Sequence, residues 1–444
     1  MLSNKKETNQ KSMFWGLEDM LNQRHPLYIL ANKVQWQTFD DAFKLLYCED
    51  NGRPAKPIRL MVGLLILKHL RNISDESVVE QWSENNYYQY FCGEQIFVPT
   101  APCEASELVH FRHRIGESGI ELILKESIRI NGKDAYDSIA SIDTTVQEKN
   151  ITFPTDNKLH RKIIDKCKKM ADKQALPVRQ SYTRTLKKLG VDQRFRNHPK
   201  NKGKARKADK KVKTIAGRLV RELERNLLPR SINPPEIDLF KRVLSQGKND
   251  KNKIYSLHEP DVQCISKGKE HKKYEFGNKA SITYTQRTGV IIGALGFRNP
   301  YDGHTIEPAL EQTQRLLGRS TIKTLIGDRG YKGIKKIHDT TIEIPKPFSN
   351  KKQSKYQQTK LKNQFKRRAA IEPINGHLKT DHRLGRNFYK GIVGDNINIM
   401  LAAAAFNFKR MMNKWKASFL TILKLIFEIC ADMKQSYLEL KSTF

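Results

Sequence analysis

Three acidic residues occupy positions from which a carboxylate can do chemistry. Asp143 follows the run Ser138-Ile-Ala-Ser-Ile, Asp328 ends Thr324-Leu-Ile-Gly, and Glu372 lies in a segment of helical pattern. In an α/β domain the residues just past strand carboxyl ends line the ligand crevice. Two aspartates there can hold a hard divalent cation, which prefers carboxylate, phosphate and water oxygens. Phe365, Arg368, Glu372 and Lys379 are spaced 3, 4 and 7 residues apart, which predicts one shared helix face. Glu372 then projects between a guanidinium one turn before it and an ammonium two turns after it. Pro373 removes the hydrogen bond to the carbonyl of Ala369, so a kink or a helix start is expected there.

Each acid also has a plainer reading: Asp143 as a strand-end cap, Asp328 as a turn residue, Glu372 as a member of surface pairs with Arg368 and Lys379. Exposed pairs contribute only about 0.2–1 kcal/mol each, so stability alone is a weak motive for the set. Asp137, Asp156, Asp261 and Asp302 are rival acids in the same region. His304, His377 and His382 are read as phosphate contacts or satisfied polar residues. No cluster has zinc spacing.

The elements that must position these residues change character along the chain. Residues 1–132 read as helical, with an apolar run from Ile58 to Leu70, Ser74 as the N-cap of the next helix, and a third helix from Ser106 that Gly116 stops. The first two are compatible with a helix-turn-helix or with any helical hairpin. Tyr87, Tyr88, Tyr90 and Phe91 read as core aromatics. Two strands are expected at Ser138–Val146 and Asn150–Phe153, then a hairpin turning at Gly289, a helix over Ile306–Leu317, and short strands ending at Asp328 and Pro345. A basic loop leads into a helix over about Thr359–Arg383. The last helical stretches are Asn396–Met412 and Phe419–Leu438.

The chain carries 81 Lys and Arg against 47 Asp and Glu, a net charge of +34. A charge that far from zero points to a polyanion, most simply nucleic acid. It is concentrated: residues 158–230 hold 25 Lys and Arg but 6 Asp and Glu. There Lys202, Lys204, Arg206, Lys207, Lys210 and Lys211 are candidate phosphate contacts, on a stretch (196–211) with no apolar stripe that reads as a loop or flexible arm. The longest apolar stretches, Ile58–Leu70, Ile399–Phe408 and Phe419–Cys430, are too short or too charged to span a membrane. MLSNKKETNQ has no apolar stretch behind its charges and is not read as a secretory signal. Six scattered cysteines without CxxC read as reduced thiols of a cytoplasmic protein.

In order, these residues resemble the catalytic core of bacterial insertion-sequence DDE transposases. Asp143 in SIDTT looks like the first acid, Asp328-Arg-Gly-Tyr331 like the second, and Phe365-x2-Arg368-x3-Glu372-x6-Lys379 like the Tyr-Arg-Glu-Lys signature around the third. Phe365 departs from it, keeping the ring and losing the hydroxyl. PAKPIRLMVGLLILKHL and PCEASELVHFRHRIG are similar to the InsH-type domain that precedes many such cores. The resemblance implies an α+β or α/β fold: a ribonuclease H-like mixed-sheet core at 133–157 and 250–410. An end-recognising helical domain at 1–132, a basic helical insertion at 158–249 and a helical tail at 411–444 complete it. It implies that Asp143, Asp328 and Glu372 bind Mg²⁺, with Mn²⁺ as a substitute. Two such ions about 3.5–4 Å apart activate water and stabilise the leaving oxygen. Arg368, Lys379 and Phe365 would meet DNA. The expected partners are double-stranded DNA, at terminal repeats and target, and a second copy of the chain; no membrane is involved. Two other readings stay open: a metal-dependent nuclease without strand transfer, and a DNA-binding remnant without catalysis.

Overall fold

The computed structural model describes residues 16–48, 54–227, 235–247, 249–266, 272–318, 321–345 and 354–442, with backbone alone at 355, 357, 358, 360, 361, 364 and 420–442. It divides into two compact units, one of Met1–Glu148 with Lys279–Phe444 and the other of Lys149–Asn278.

The first unit begins with helices Leu17–Met20, Pro26–Lys33, Trp36–Phe43, Ile58–Leu70, Asp75–Glu84, Asn86–Phe91 and Ala105–Asn131. Ile58–Leu70 has no polar stripe, and every residue except Arg59 is buried. A helix apolar all round belongs in a core. Ser74 caps the next helix through its Oγ, which accepts the Ser77 N–H at 3.1 Å. That helix carries Asp75, Glu76, Glu80 and Glu84 and no Lys or Arg. Its exposed face carries Glu76, Glu80 and Glu84, while Asp75 pairs inward with Lys68 and Arg112. Tyr88 and Phe91 are buried, and Tyr90 stacks on Tyr28 at 4.7 Å. Gly116, at φ +58, ends one helical stretch as expected, but a second follows immediately to Asn131.

The strands are β1 (Ile139–Lys149), β2 (Gln263–Ile265), β3 (Glu275–Thr285), β4 (Ile291–Phe297), β5 (Thr324–Ile326), β6 (Lys336–Ile337), β7 (Thr340–Glu343) and β8 (Arg386–Asn387). In the first unit the order is β3-β1-β5-β7-β6, with β4 on β3 and β8 on β1. β5 runs parallel to both β1 and β7, while β3/β4 and β6/β7 are antiparallel. This is an open mixed α/β sheet of the ribonuclease H-like kind. The β3–β4 turn uses Gly289 at φ +72, and Gly318 at φ +67 ends the helix Ile306–Leu317. The helix Gly391–Ser442 packs along Ala105–Asn131 and β4 through its buried run Ala402–Ala405. Its Asn407 pairs with both the N–H (3.0 Å) and the C=O (2.8 Å) of Ile291.

In the second unit, helices Asp156–Lys173, Thr183–Asp192, Pro199–Leu227 and Pro235–Ser245 enclose their own core, including Ile163, Ile164, Val212, Leu219 and Phe240. The antiparallel pair β2/β3 closes it at Gln263–Ile265 against Glu275–Gly277.

Four expectations need correction. Residues 199–211 are helix, not loop, because Ala205, Ala208 and Val212 supply a narrow buried stripe and alanine, lysine and arginine favour helix. The two strands expected from Ser138 to Phe153 are one, ending at Lys149. Its polar end is partnered: Gln147 lies 3.4 Å from Asn387, and Lys149 pairs with Glu259 at 3.2 Å. The helix over 359–383 is two, Lys355–Arg368 and Ile371–Asp381, with Pro373 in the first turn of the second. The tail does not begin a new element at 411, since Gly391–Ser442 is continuous. The basic loop after Pro345 lies outside the described residues over 346–353.

Buried histidines make the first unit acid-sensitive. His69 is fully buried, with Nε2 3.2 Å from Asn398 Oδ1, and burial together with Lys68 pushes its pKa down to about 3. Burial also lowers His382. A lowered folded pKa means that the unfolded chain takes the proton first. Stability is therefore full above about pH 6.5 and falls as pH drops towards the folded value. Between pH 6.5 and 5, His69 is expected to contribute a loss of about 2 kcal/mol. Urea midpoints from pH 7 to 5 should fall less steeply for His69→Gln than for the wild type; equal slopes would dismiss His69 as the sensitive group.

Candidate active site

The sheet register brings Asp143, which lies within β1 rather than at its end, towards Asp328, just past the end of β5. Ser141 of β1 lies opposite Ile326 of β5 in the parallel ladder. Two residues on along each chain come Asp143, still on β1, and Asp328, two residues past the end of β5; both carboxylates act on the buried Tyr331 phenol. Both are half-buried. Asp328 Oδ1 accepts the Gly330 N–H at 2.7 Å and caps the 3-10 turn Arg329–Tyr331. Tyr331 is fully buried beside the pair. Burial, with Asp143, Asp302 and Asp328 around it, pushes its phenol well above the usual range. Burial likewise raises Tyr284 to about 12. Both phenols are therefore protonated near neutrality, and neither is a ready nucleophile.

The helix bearing Glu372 lies over this pair. Asn375 Nδ2 is 3.4 Å from Asp143 Oδ2. Tyr284 of β3 donates to the Arg368 carbonyl at 2.9 Å, fixing the end of the preceding helix. Ile371, Ile374 and Leu378 are buried, whereas Glu372 is exposed, one turn before Asn375 on the same side. Phe365, Arg368 and Lys379 are half-buried. The helix break at Ala369–Ala370 means that Phe365 and Arg368 do not share one continuous helix face with Glu372 and Lys379.

Asp143 and Asp328 are thus brought together, and Glu372 is brought near but not in. Among the described residues no three His, Cys, Asp or Glu side chains are close enough to hold a metal ion jointly. A pair of half-buried carboxylates still suits a hard divalent cation, which takes one or two carboxylates and completes its shell with water and phosphate oxygens. The Asn375 Oδ1 atom, buried and without a hydrogen-bond partner among the described residues, adds a neutral oxygen at the same place.

The rival acids separate. Asp137 accepts the N–H groups of Ile139 (3.2 Å) and Arg287 (3.0 Å), a structural role. Asp156 pairs with Lys253 in the second unit, which also holds Asp261. Asp302 belongs to the crevice: it accepts from Thr144 Oγ1 at 3.2 Å and pairs with Lys279 at 2.9 Å. His304 is exposed beside Tyr301, His377 pairs with Asp381 at 2.7 Å, and His382 is buried with Nδ1 3.1 Å from the His69 carbonyl. Lys202, Lys204, Arg206, Lys207, Lys210 and Lys211 are all exposed on the helix Pro199–Leu227; Lys204 pairs with Asp192 at 3.0 Å. The described cysteines Cys48, Cys92, Cys103, Cys167 and Cys264 are free thiols. Among the described residues no helix is long and apolar enough to cross a membrane.

Sequence reasoning missed Asn375, Tyr284 and Lys279. Asn375 was visible as the i+3 neighbour of Glu372. The other two reach the site from β3, and only the strand order brings them there.

Residues 16–114 match the transposase domain of the DUF772 family, and residues 245–408 match the transposase DDE domain. Asp143 precedes the second match, but the β1–β5 ladder places it in the same sheet. A relative from Rhizobium meliloti, uncharacterized protein ORF8 in the nfe locus, is 42% identical over 187 residues, 41% of this chain and 90% of that protein. No solved structure matches. DDE transposases generally use a divalent metal ion. With a transposase N-terminal domain, a DDE domain and a ribonuclease H-like sheet in one chain, the protein belongs to the insertion-sequence DDE transposases.

Proposed function

We propose that this transposase binds the ends of an insertion sequence, cuts the DNA there by Mg²⁺-dependent hydrolysis and joins the freed 3′-hydroxyls to target DNA. The observation that carries this reading is that Asp143 and Asp328 border the same buried Tyr331, with Asn375 of the Glu372 helix against Asp143. These three carboxylates would hold the cation, with Mn²⁺ as a substitute. When bound, the cation lowers the pKa of water and stabilises charge on the leaving oxygen. The chain's own groups set the geometry. Asn375 donates to Asp143, the Gly330 N–H orients Asp328, and Tyr284 anchors the segment that leads to Glu372. Arg368, Lys379 and Phe365 border that helix and would meet the DNA backbone. Water attacks phosphorus and the 3′-oxygen leaves as a hydroxyl; that hydroxyl then attacks a target phosphodiester, forming a bond to the target's 5′-phosphate while the bond to the target 3′-oxygen breaks and that oxygen departs. Joining two ends in one reaction calls for at least two copies of the chain.

In this reading residues 1–132 would recognise the ends, the catalytic core would be built on 133–157 and 250–410, and residues 158–249, within the compact unit Lys149–Asn278, would form a basic insertion. Exposed Lys202, Lys204, Arg206, Lys207, Lys210 and Lys211 would neutralise phosphates. Replacing them with Gln should weaken binding to all DNA sequences and flatten the log–log salt dependence by about 0.9 per lost contact. Lys204, already paired with Asp192, should contribute least. An unchanged salt slope would reject this helix as a phosphate binder.

The deciding experiment incubates the purified protein and Mg²⁺ with labelled DNA carrying the inverted repeats that flank its gene. Joined products are expected. Cleavage without joining would make it a nuclease, and binding with neither would leave a DNA-binding remnant.

A further inference from the structure

Asp302 lies near both Asp143 and Asp328, although neither of their strands carries it. It opens the 3-10 turn Asp302–Thr305 that follows β4. Its Oδ1 accepts from Thr144 Oγ1 at 3.2 Å, and Thr144 is the residue after Asp143 on β1. The same oxygen lies 2.9 Å from Lys279 Nζ of β3, which also donates to the Pro300 carbonyl at 2.8 Å. The other oxygen, Oδ2, faces Gly330, whose N–H orients Asp328. A methyl group placed on Gly330 would stand 3.1 Å from Asp302 Oδ2 and 2.9 Å from Asp328 Oδ1. One carboxylate therefore accepts from the Asp143 strand with one oxygen and faces the Asp328 turn with the other. The turn itself is held down on its far side, where Tyr301 Oη donates to the Lys332 carbonyl at 3.3 Å.

We propose that Asp302 is a positioning residue that sets the spacing of Asp143 and Asp328 and thereby their affinity for a divalent cation. Lys279 is its counter-charge: the ion pair lies at 12% and 23% side-chain exposure, so that Asp302 with its partner brings no net negative charge to the aspartates. The proposal rests on the reading of Asp143 and Asp328 as metal-binding carboxylates. Asp302 does not touch substrate. It acts through Thr144 and through the Gly330 turn, as the outer partners of metal ligands do, whose loss typically lowers metal affinity 10- to 100-fold.

The test is Mn²⁺ binding to the full chain without DNA, followed by the electron paramagnetic resonance of free Mn²⁺, beside thermal midpoints and cleavage in Mg²⁺. Asp302→Asn is expected to weaken Mn²⁺ binding 10- to 100-fold and to raise the Mg²⁺ concentration needed for half-maximal cleavage by a similar factor. Gly330→Ala leaves every charge in place but crowds both carboxylates, and is expected to weaken Mn²⁺ binding in the same direction. Asp302→Glu should recover part of the loss. A purely structural Asp302 would lower the thermal midpoint and leave the Mn²⁺ affinity of the folded protein unchanged, which overturns the proposal. Asp143→Asn serves as the reference. If it abolishes binding while Asp302→Asn and Gly330→Ala do not weaken it, the positioning role is wrong and the metal site stands. If Asp143→Asn itself binds Mn²⁺ as the wild type does, the metal-site reading falls and the positioning role falls with it.

Discussion

Asp143→Asn and Asp328→Asn are each expected to slow DNA cleavage by about a thousandfold while end binding stays within a few-fold of the wild type. The substitution keeps the size of the side chain and removes one negative charge. Charge stabilisation by a bound cation amounts to several kcal/mol in the transition state, and about 4 kcal/mol corresponds to a thousandfold in rate. DNA binding should persist because much of the positive excess lies in residues 158–230, with 25 Lys and Arg against 6 Asp and Glu, a stretch that contains neither aspartate. Removing an acid even relieves some repulsion towards phosphate. Glu372→Gln should behave differently. Glu372 is exposed and outside the aspartate pair in the DNA-free chain. Its replacement should slow cleavage as strongly yet leave Mn²⁺ affinity without DNA unchanged. Steady-state cleavage, filter binding and metal titration on the three variants separate these effects. Cleavage within tenfold of wild type for either aspartate variant would remove that residue from the chemistry.

How much of this was legible in the sequence depended on how local the cause was. The hairpin at Gly289, the cap at Ser74 and the helix stop at Gly318 follow from single residue types with one strong conformational preference. The acids at 143 and 328 were visible because a carboxylate at the end of an apolar strand run is rare in so basic a chain. That they come to the same buried tyrosine was not visible, since the β1–β5 register is a property of two strands separated by the whole insertion. Residues 199–211 went astray because a stripe of alanines does not register as apolar, though packed against Ile163 and Ile164 it suffices. The strand to Lys149 was cut short because its polar residues find buried partners far along the chain. Asp302 showed only as one of several rival acids. What distinguishes it is Lys279 from another strand, a contact that residue spacing cannot reveal.

The largest stability effect is expected at Asp75. Its carboxylate takes two hydrogen bonds from Arg112, at 2.7 and 2.9 Å, and one from Lys68 at 2.8 Å. Lys68 and Arg112 are 4% and 6% exposed, and both stand over the Tyr389 ring, at 4.7 and 4.4 Å. Lys68 also donates to the Tyr389 hydroxyl at 2.8 Å. Asp75→Asn would leave two buried cations without their anion, which costs about 3–5 kcal/mol in comparable cases. The loss should depend on pH in a definite sense. Burial pushes Lys68 down to about 8, and Asp75 is what opposes a further fall. Without that charge Lys68 loses its proton at lower pH in the folded chain, while the unfolded chain still binds it up to about pH 10.5. The folded variant thus escapes part of the repulsion as pH rises, so its deficit should be smaller at pH 9 than at pH 6.5. Urea unfolding at the two pH values measures this. A deficit below 1 kcal/mol, or one that grows with pH, would show that the cations find other compensation. The consequence should reach the catalytic helix. Asn72 Nδ2 holds the Thr380 carbonyl at 2.7 Å, and His382 Nδ1 lies 3.1 Å from the His69 carbonyl, so the far end of the helix bearing Glu372 rests on the same corner of the N-terminal domain. Loosening Asp75 should therefore slow cleavage by folded protein more than it weakens DNA binding.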